Sequence, residues 1–411
     1  MRNDLSALMQ AHNIDVLLIV GPAQHNAPMV YMTGGGHVTQ ADLVIKRGET
    51  PVLFHGPMER DEAAKSGFIT RSYSNYPFRE MQQHAHGSKI RLMALRYQKM
   101  LEDLGITSGR MALLGATDLG TGYGIFTALK ELMPELELVA LEEDLLMQAM
   151  MTKEPQEIEQ IRQMGKVTTQ CVANTADFLT SHAVRNGMLV KTNGEPLVIG
   201  DVRKRINLWL AEAGAENPEG TIFSIGRDAG VPHSVGIDSA PLRLGQTIVY
   251  DIYPCELGGG YFYDFTRTWC LGYATDEAQK LYEDVRKVYE TVVSELQVNM
   301  PFANYQKRTC ELFESMGHPT VLSTPETEVG YVHSLGHGVG LRIHELPMSG
   351  AAATTRDILA PGSVFTIEPG LYYPDKGMGV RIEDTLAVMP NGAIEILVDY
   401  PKELVLPVKL A

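Results

Sequence analysis

The sequence predicts a protein of the α/β (α+β) class built from two domains, and three observations support this prediction. The chain has 411 residues, more than one ordinary hydrophobic core accommodates. Its first third alternates short apolar runs with helical patterns, as a small α/β domain does. The rest begins with a long helical pattern and continues largely as strand-like runs. We therefore expect a first domain over residues 1–148 and a larger second domain over residues 149–411.

The first domain is predicted from strand and helix patterns that follow one another closely. The apolar runs typical of strands are DVLLIV (15–20), DLVIKRGETPVLF (42–54) and RMALLG (110–115). Helical patterns occupy residues 57–67 and 123–134, and each of them ends at a glycine or a proline. This alternation of strands and helices favours an α/β arrangement.

The second domain begins with a helix whose start is marked in the sequence. Pro155 stands near the first helical position, and acidic residues follow it in the first turn. Ile158 and Leu179 fit one face of this helix, which predicts a single buried side. Gly187 and the segment TNGEP (192–196) then interrupt the pattern and predict a loop or hairpin.

Composition excludes several classes of protein. The net charge of −15 argues against a nucleic-acid partner, which requires a basic face. The four cysteines are scattered without a C-x-x-C pair, which predicts a reducing compartment and no disulfide scaffold. No run is long enough for a transmembrane helix, and the N-terminal run VLLIV is too short for a secretory signal. We expect a cytoplasmic protein with no membrane partner.

Acidic residues stand in segments that otherwise have the pattern of buried strands. Asp251 ends the run TIVYD, and Asp264 lies inside YFYDFTRTW. Glu368 ends SVFTIE, and Glu383 lies inside GVRIEDTLAV, on the same face as Arg381. Asp is a poor strand former, and a buried carboxylate loses hydration unless a cation pairs with it. Any one of them is more often a solvated strand end, but four in one domain favour a site that holds cations.

Histidines extend this set and indicate the kind of metal. The segment VHSLGHGVGLRIHE supplies His333, His337 and His344. Four carboxylates and one imidazole, without a thiolate, favour Mn²⁺, with Co²⁺, Zn²⁺ or Fe²⁺ as alternatives, over a structural zinc site. The glycines at positions 336, 338 and 340 argue against a helical zinc protease and for an extended segment that another backbone or a substrate approaches closely.

Together these stretches resemble the signatures of the pita-bread metallopeptidases, a family of Xaa-Pro aminopeptidases, prolidases, methionine aminopeptidases and the metal-free creatinase. In the order of the chain they are PHSVG, DIYP…GYFYDFTRTW, HSLGHGVGLRIHE, FTIEPGLYY and GVRIED. The resemblance runs from about Lys153 to the C-terminus, and more loosely includes VYMTGG in the first domain. It implies a small creatinase-type N-terminal α/β domain followed by a pita-bread C-terminal catalytic domain.

The resemblance also implies a role for each candidate residue. Two divalent metal ions would be held by Asp251, Asp264, His337, Glu368 and Glu383. Glu368 would also help to deprotonate the bridging water, and His344 would donate to the tetrahedral intermediate. His233, in PHSVG, would act in catalysis and line the substrate pocket, where His333 also lies. Arg381 would orient the carboxylates around the metals and belong to the substrate-binding set.

The implied activity is hydrolysis of the bond between a first residue and proline, in dipeptides or at the N-terminus of longer peptides, by a metal-bridged hydroxide. Two alternatives stay open: a lyase or hydrolase on the same scaffold that acts on a small zwitterionic substrate, as dimethylsulfoniopropionate-cleaving relatives do, and a peptide-binding module. The complete set of ligand positions argues against the binding module. The resemblance further implies a homodimer.

One departure from the family pattern concerns the two aspartates. The step from Asp251 to Asp264 is thirteen residues, against the usual eleven, and the extra residues fall in CELGGG. This insertion predicts a lengthened hairpin turn. Because thirteen and eleven are both odd, we expect the longer step to leave each carboxylate on the same face of the hairpin as the shorter step does.

Overall fold

The computed structural model describes residues 4–141 and 145–410, which divide into two compact units. Unit 1 comprises the residues up to Ala149 together with Gly258–Gly260, and unit 2 comprises Met150–Leu257 together with the residues from Tyr261 onward. Within the described ranges, no helix combines the length and the hydropathy that crossing a membrane requires.

The described residues of unit 1 form a six-stranded mixed sheet and seven α-helices, the last of which ends at Met150, the first residue of unit 2. Its strands are β1 Val16–Gly21, β2 Ala41–Lys46, β3 Val52–His55, β4 Ile69–Ser72, β5 Gly109–Gly115 and β6 Leu136–Val139. Its helices are α1 Leu5–Ala11, α2 Ala27–Thr33, α3 Arg60–Ala64, α4 Phe78–His84, α5 Lys89–Asp103, α6 Leu119–Leu132 and α7 Leu145–Met150. The strand order is β4-β3-β2-β1-β5-β6, in which β1 is antiparallel to β2 and parallel to β5.

The sequence patterns account for most of unit 1. The predicted strands near residues 15–20 and 110–115 are confirmed as β1 and β5. The run 42–54 was wrong as a single strand, because the chain turns at Gly48, with φ of +79°, and forms the antiparallel pair β2 and β3. The helix α6 begins earlier than its apolar pattern because Asp118 caps it, accepting a hydrogen bond from the Thr121 N–H at 2.8 Å.

Unit 2 combines four longer helices with several small sheets. The helices are α8 Pro155–Ser181, α9 Ile199–Glu212, α10 Asp276–Glu295 and α11 Phe302–Ser315. The strands are β7 Ala183–Arg185, β8 Met188–Val190, β9 Ala215–Glu216, β10 Thr221–Ile225, β11 Thr247–Ile252, β12 Cys255–Glu256, β13 Phe265–Leu271, β14 Val364–Ile367, β15 Gly370–Tyr373, β16 Met378–Arg381, β17 Asp384–Val388, β18 Ile394–Ile396, β19 Val405–Leu406 and β20 Lys409–Leu410.

The start of α8 follows the sequence signals closely. Pro155 is its first residue, and Glu154 and Glu157 form a capping box in which Glu157 accepts a hydrogen bond from the Glu154 N–H at 2.8 Å. Ile158 and Leu179 lie on its buried face, as predicted. The interruption after this helix forms the antiparallel hairpin of β7 and β8, which confirms the predicted loop or hairpin.

The sheet β10-β11-β13-β19 positions both aspartates. Strands β11 and β13 pair in antiparallel fashion, with Asp251 opposite Thr266 and Ile252 opposite Phe265. Continuing this register brings Asp264 opposite Tyr253. Tyr253 is two residues after Asp251, so the two aspartates lie on the same face of the sheet, as expected. The added residues include β12, which pairs with β9 and occupies the lengthened connection.

Two predicted strand positions need correction. Asp264 lies immediately before β13, not inside a strand, and Glu383 lies between β16 and β17, not inside one continuous strand. The chain changes partners at this point, since β16 pairs with β15 whereas β17 pairs with β14. Between them the Glu383 N–H donates to the Thr266 carbonyl at 3.1 Å. A distant strand thus fixes the backbone at Glu383.

Candidate metal centre

Unit 2 contains a cavity of about 390 Å³ whose wall includes every candidate residue named from the sequence. These residues are His233, Asp251, Asp264, His333, His337, His344, Glu368, Arg381 and Glu383. They come from segments up to 150 positions apart, counted from His233 to Glu383. A volume of this size is typical of a small-molecule site. The fold therefore brings all the candidate residues to one cavity.

The closest group of potential metal ligands in this cavity is Asp264, His337 and Glu383, all buried, with one ligand atom of each within 4.8 Å of the others. His337 Nε2 also lies 3.4 Å from Glu368 Oε1 and 3.5 Å from Asp264 Oδ2. The other ring nitrogen, Nδ1, lies 3.0 Å from the Gly338 carbonyl, to which an Nδ1–H donates. This bond leaves the lone pair of Nε2 facing the carboxylates, as a metal-binding histidine requires.

The backbone around His337 is fixed by strand β14. The Thr366 N–H donates to the His337 carbonyl at 2.9 Å, and the Glu368 N–H donates to the Leu335 carbonyl at 2.8 Å. Because Glu368 follows the last residue of β14, these bonds hold its carboxylate beside the imidazole. The geometry of the site thus arises from a strand end and an extended segment that pair backbone to backbone.

Three buried carboxylate oxygens in this group have no hydrogen-bond partner in the described part of the chain: Asp251 Oδ1, Asp264 Oδ1 and Glu383 Oε1. Burying a charged oxygen without a partner is strongly unfavourable, so such atoms call for an explanation. A divalent cation supplies one, because carboxylate oxygens and an imidazole nitrogen are ligands that Mn²⁺, Zn²⁺, Co²⁺ and Fe²⁺ accept. The residues present therefore fit a metal centre.

The pKa values of these carboxyl groups also show that their ionised forms are unfavourable without a cation nearby. Burial raises the pKa of Asp264 and of Glu368 well above the ordinary range, and the charge of Glu383 adds to both shifts. Burial, followed by the charge of Asp251, raises the pKa of Glu383 to about 8. Each group resists ionisation beside the others, and bound cations would reverse this effect.

Protein donors hold the second oxygen of two of these carboxylates. Arg381 Nη2 donates to Asp251 Oδ2 at 2.5 Å, and the Thr266 hydroxyl donates to Glu383 Oε2 at 2.6 Å. Arg381 Nε in turn donates to the Thr266 hydroxyl at 3.2 Å. One oxygen of each carboxylate is therefore committed, and the other is left for a cation. The sequence patterns did not single out Thr266. It lies two residues after Asp264, a spacing that places both side chains on one face of a strand.

His333 belongs to a hydrogen-bonded chain that runs through Tyr372 to Arg381. Arg381 Nη1 donates to the Tyr372 hydroxyl at 2.8 Å, and this hydroxyl lies 2.8 Å from His333 Nε2. His333 Nδ1 lies 2.7 Å from the Ser334 carbonyl. Burial, with the charge of Arg381, lowers the pKa of His333 to about 3. The ring is thus neutral and its orientation is fixed. Tyr372 is a second residue of the site that the sequence analysis missed.

His344 lies edge-on to the candidate ligand His337, with 4.4 Å between the ring centroids. Burial lowers the pKa of His344, so its imidazole is neutral at physiological pH. His233 comes from the loop that follows β10 and has an exposed side chain at the wall of the same cavity. Both rings are free to face a molecule in the cavity.

A buried ion pair fixes the backbone that carries His337 and His344. Lys153 Nζ lies 2.7 Å from Glu345 Oε2, and both side chains are almost completely buried. The Glu345 N–H donates to the Gly338 carbonyl at 2.8 Å, and the Gly338 N–H donates back at 2.9 Å. The residues next to the two histidines are thus bonded to each other. Nothing in the sequence pattern predicted this pair.

The alternating glycines have the close neighbours that their spacing predicted. A Cβ at Gly336 would lie 2.0 Å from the Thr366 carbonyl oxygen, and one at Gly338 would lie 2.1 Å from that of Leu346. The segment is extended and has no helix, which confirms that it is not a helical zinc-binding motif. It forms isolated bridges instead of a regular strand, and Gly338 bridges both Glu345 and Phe365.

A carboxylate and histidine cluster at the bottom of a small cavity is the type of site found in metal-dependent hydrolases. Residues 159–390, more than half of the chain, match the model of Metallopeptidase family M24. The chain belongs to Metallopeptidase family M24.

Relatives with known names are similar to large parts of the chain. An Xaa-Pro dipeptidase from Pyrococcus furiosus is 33% identical over 194 residues, which cover 47% of this chain and 51% of that relative. An Xaa-Pro dipeptidase from Pyrococcus horikoshii is 25% identical over 94% of this chain and 93% of that relative. The lyase and the peptide-binding module that the sequence left open find no support among these names.

Solved structures share the fold of the whole chain. The prolidase from Pyrococcus horikoshii OT3 has a TM-score of 0.73 at 22% identity and covers 98% of each chain. The Xaa-Pro dipeptidase from Bacillus anthracis has a TM-score of 0.75 at 20% identity, over 98% of this chain and 99% of that one. These likenesses confirm the predicted fold class and the pita-bread architecture.

Proposed function

We propose that the protein hydrolyses the peptide bond between a first residue and proline. The observation that carries this proposal is the set of three unpartnered carboxylate oxygens whose residues line a cavity of about 390 Å³ together with His337. Such a group is suited to binding metal in a place that a short peptide can reach. The preference for proline is supported by the relatives named Xaa-Pro dipeptidase.

The metal would be held by Asp251, Asp264, His337, Glu368 and Glu383, as two divalent cations. Mn²⁺ is our first choice, with Co²⁺, Zn²⁺ or Fe²⁺ as alternatives, because the donor set is rich in oxygen and lacks a thiolate. When bound, such cations polarise the scissile carbonyl and make water a nucleophile at neutral pH. Arg381 and Thr266 keep two of the carboxylates in the orientation that binding requires.

The remaining roles belong to side chains of the cavity wall. Glu368 would take a proton from the attacking water and return it to the leaving nitrogen, a role open to a carboxylate at the cavity wall. His344 donates from its ring to the oxygen on which negative charge develops. His233 lines the substrate side of the cavity, and His333 and Arg381 present a rigid, hydrogen-bonded wall to the substrate.

The test is release of the first residue from Ala-Pro and Ala-Pro-Ala by metal-free protein reloaded with Mn²⁺, with Ala-Ala-Ala as the control peptide. We expect cleavage of a proline substrate and not of the control, and the ratio of the two rates separates a dipeptidase from an aminopeptidase. The variant Asp264→Asn should lose activity and bound metal together, whereas Asp177→Asn, at an exposed position of α8, should lose neither. Wild-type protein that binds metal but cleaves neither proline peptide would refute the proposal.

We further propose that the protein works in the cytoplasm as a homodimer, with domains over residues 1–148 and 149–411. The reducing compartment is supported by four cysteines that are all free and buried. Light scattering during gel filtration tests the dimer, and a monomeric mass at micromolar concentration would contradict it.

A further inference from the structure

We propose that Glu219 gives this enzyme a preference for substrates whose first residue has a positively charged side chain. This inference rests on the proposed function, because it concerns the residue before proline. In the described wall of the cavity, Glu219 is the one carboxylate outside the five candidate metal ligands. Its charge therefore remains available to a substrate after the metal site is filled.

No described side chain pairs with Glu219. Within residues 4–141 and 145–410 it makes no hydrogen bond and no ion pair, and it is exposed. Arg381, the cation that the described wall contains, is committed to Asp251 and Tyr372. Two divalent cations and Arg381 would balance the four ligand carboxylates and Glu219 in total charge. Glu219 is nevertheless the carboxylate of the described wall that has no local partner, because Arg381 bonds to Asp251 and Tyr372.

The loop that carries Glu219 is held in place by its own hydrogen bonds. The Asn217 side chain donates to the Thr221 hydroxyl at 3.0 Å and to Asn207 Oδ1 at 2.9 Å. The Gly220 N–H bonds back to the Asn217 carbonyl at 3.3 Å, and Gly220 has φ of +82°. The carboxylate is thus presented from a closed turn immediately before β10, and its position at the cavity wall is a property of the fold.

Glu219 shares the wall of the cavity with Tyr253 and His344. A substrate in this cavity therefore meets the carboxylate of Glu219 as well as the candidate metal ligands.

The cavity wall that includes Glu219 suits a long cationic side chain. Ile222, Val235 and Ile343 provide apolar wall in the same cavity. The methylene stem of a lysine can lie along such a surface while its ammonium group reaches a carboxylate. An acidic side chain at the first position of the substrate meets repulsion instead. The expected order of substrates is cationic, then neutral, then acidic.

The test compares matched substrates that differ in charge. Lys-Pro-Ala is paired with norleucine-Pro-Ala, which has a similar stem without the amine, and Glu-Pro-Ala is paired with Gln-Pro-Ala. For the wild-type enzyme we expect kcat/KM to favour lysine over norleucine by about fivefold, the effect of one ion pair at a solvent-accessible site. This preference should shrink as the ionic strength rises, because salt screens exposed charges.

Variants connect the preference to Glu219. In Glu219→Gln the ratio of lysine to norleucine substrate should fall to about one, and in Glu219→Lys the enzyme should favour the glutamate substrate over the glutamine substrate. Glu212→Gln, at the exposed end of α9, removes the same charge outside the cavity wall and should keep the wild-type ratio. If Glu219→Gln lowers both rates by the same factor, the carboxylate holds the α-ammonium group common to all substrates, and the proposal is wrong.

The two proposals fail in different ways. Cleavage of Ala-Pro-Ala with no charge preference would overturn the role of Glu219 and leave the proposed function standing. If no proline peptide is cleaved, the binding of free L-lysine and L-norleucine to Mn²⁺-loaded protein still tests Glu219 by calorimetry. Tighter binding of lysine that disappears in Glu219→Gln would support its role, and equal binding in the wild type would overturn it.

Discussion

Removing the ammonium group of Lys153 should destabilise unit 2 more than any exposed charge change would. Methionine in Lys153→Met has about the length of the apolar stem of lysine, so the main loss is the ion pair with Glu345. The side chains of the two residues are 2% and 0% exposed, so the Glu345 carboxylate is left charged and buried. It keeps the hydrogen bond from the Arg342 backbone N–H at 3.0 Å, which compensates only part of its charge. Breaking a buried pair in this way costs about 3–5 kcal/mol.

The measurement is urea unfolding of the metal-free protein, followed by tryptophan fluorescence. Both tryptophans of the chain, Trp209 and Trp269, lie in unit 2, so the signal reports the unit that contains the ion pair. With a slope of about 3 kcal/mol per M urea, the expected loss lowers the midpoint by about 1–2 M. Removing metal beforehand prevents its binding energy from adding to the result.

Two further variants decide whether the buried charge is the cause. The double variant Lys153→Met with Glu345→Gln should recover much of the loss, because the amide carries no charge. Lys307→Met breaks an ion pair with Glu311 that is exposed on both sides, and it should cost less than about 1 kcal/mol. A loss below about 1 kcal/mol for Lys153→Met, or a double variant as unstable as the single one, would refute the reasoning.

Three other outcomes are expected. The carboxyl groups of Asp264, Glu368 and Glu383 have raised pKa values in the folded, metal-free protein, so the stability that they contribute is present below pH 4.5 and is lost as pH rises through about 8. Urea titrations across this range should show the decline without Mn²⁺ and lose it with Mn²⁺, and equal pH dependence in both would contradict the metal assignment. Gly338→Ala should weaken Mn²⁺ binding at least tenfold in a metal titration, because its Cβ would lie 2.1 Å from the Leu346 carbonyl oxygen. Unchanged affinity would contradict this prediction and show that the segment can shift at little cost. The four cysteines should not react with a thiol reagent in the native protein, because burial raises their pKa and blocks access, and rapid labelling before unfolding would contradict this.

Much of the architecture was accessible from local patterns. The start of α8 was predicted from Pro155 and the acidic residues after it, because helix capping depends on groups a few positions apart. The phase of Asp251 and Asp264 followed from the two-residue period of a strand, and the structure has it. The carboxylates at apolar strand ends marked the wall of the cavity, since a charge in such a segment needs a partner that the local sequence lacks.

The features that sequence patterns missed depend on partners far away in the chain. Glu383 lies in a break between two strands because Thr266, more than a hundred positions earlier, bonds to its backbone. Lys153 and Glu345 are 192 positions apart, and no periodicity connects them. Glu219 looks like an ordinary loop residue until the closed turn before β10 brings it to the cavity wall.

The sequence by itself identified the residues that line one cavity and several of the local elements around them. Caps, strand periods and motif order act over a few residues, and they survive in the sequence as spacing. The tertiary structure decided which oxygen of each carboxylate is committed to Arg381 or Thr266 and which one is left for a cation. It also decided that Glu219 has no partner among the described side chains, because charge pairing depends on which distant segments the fold brings together.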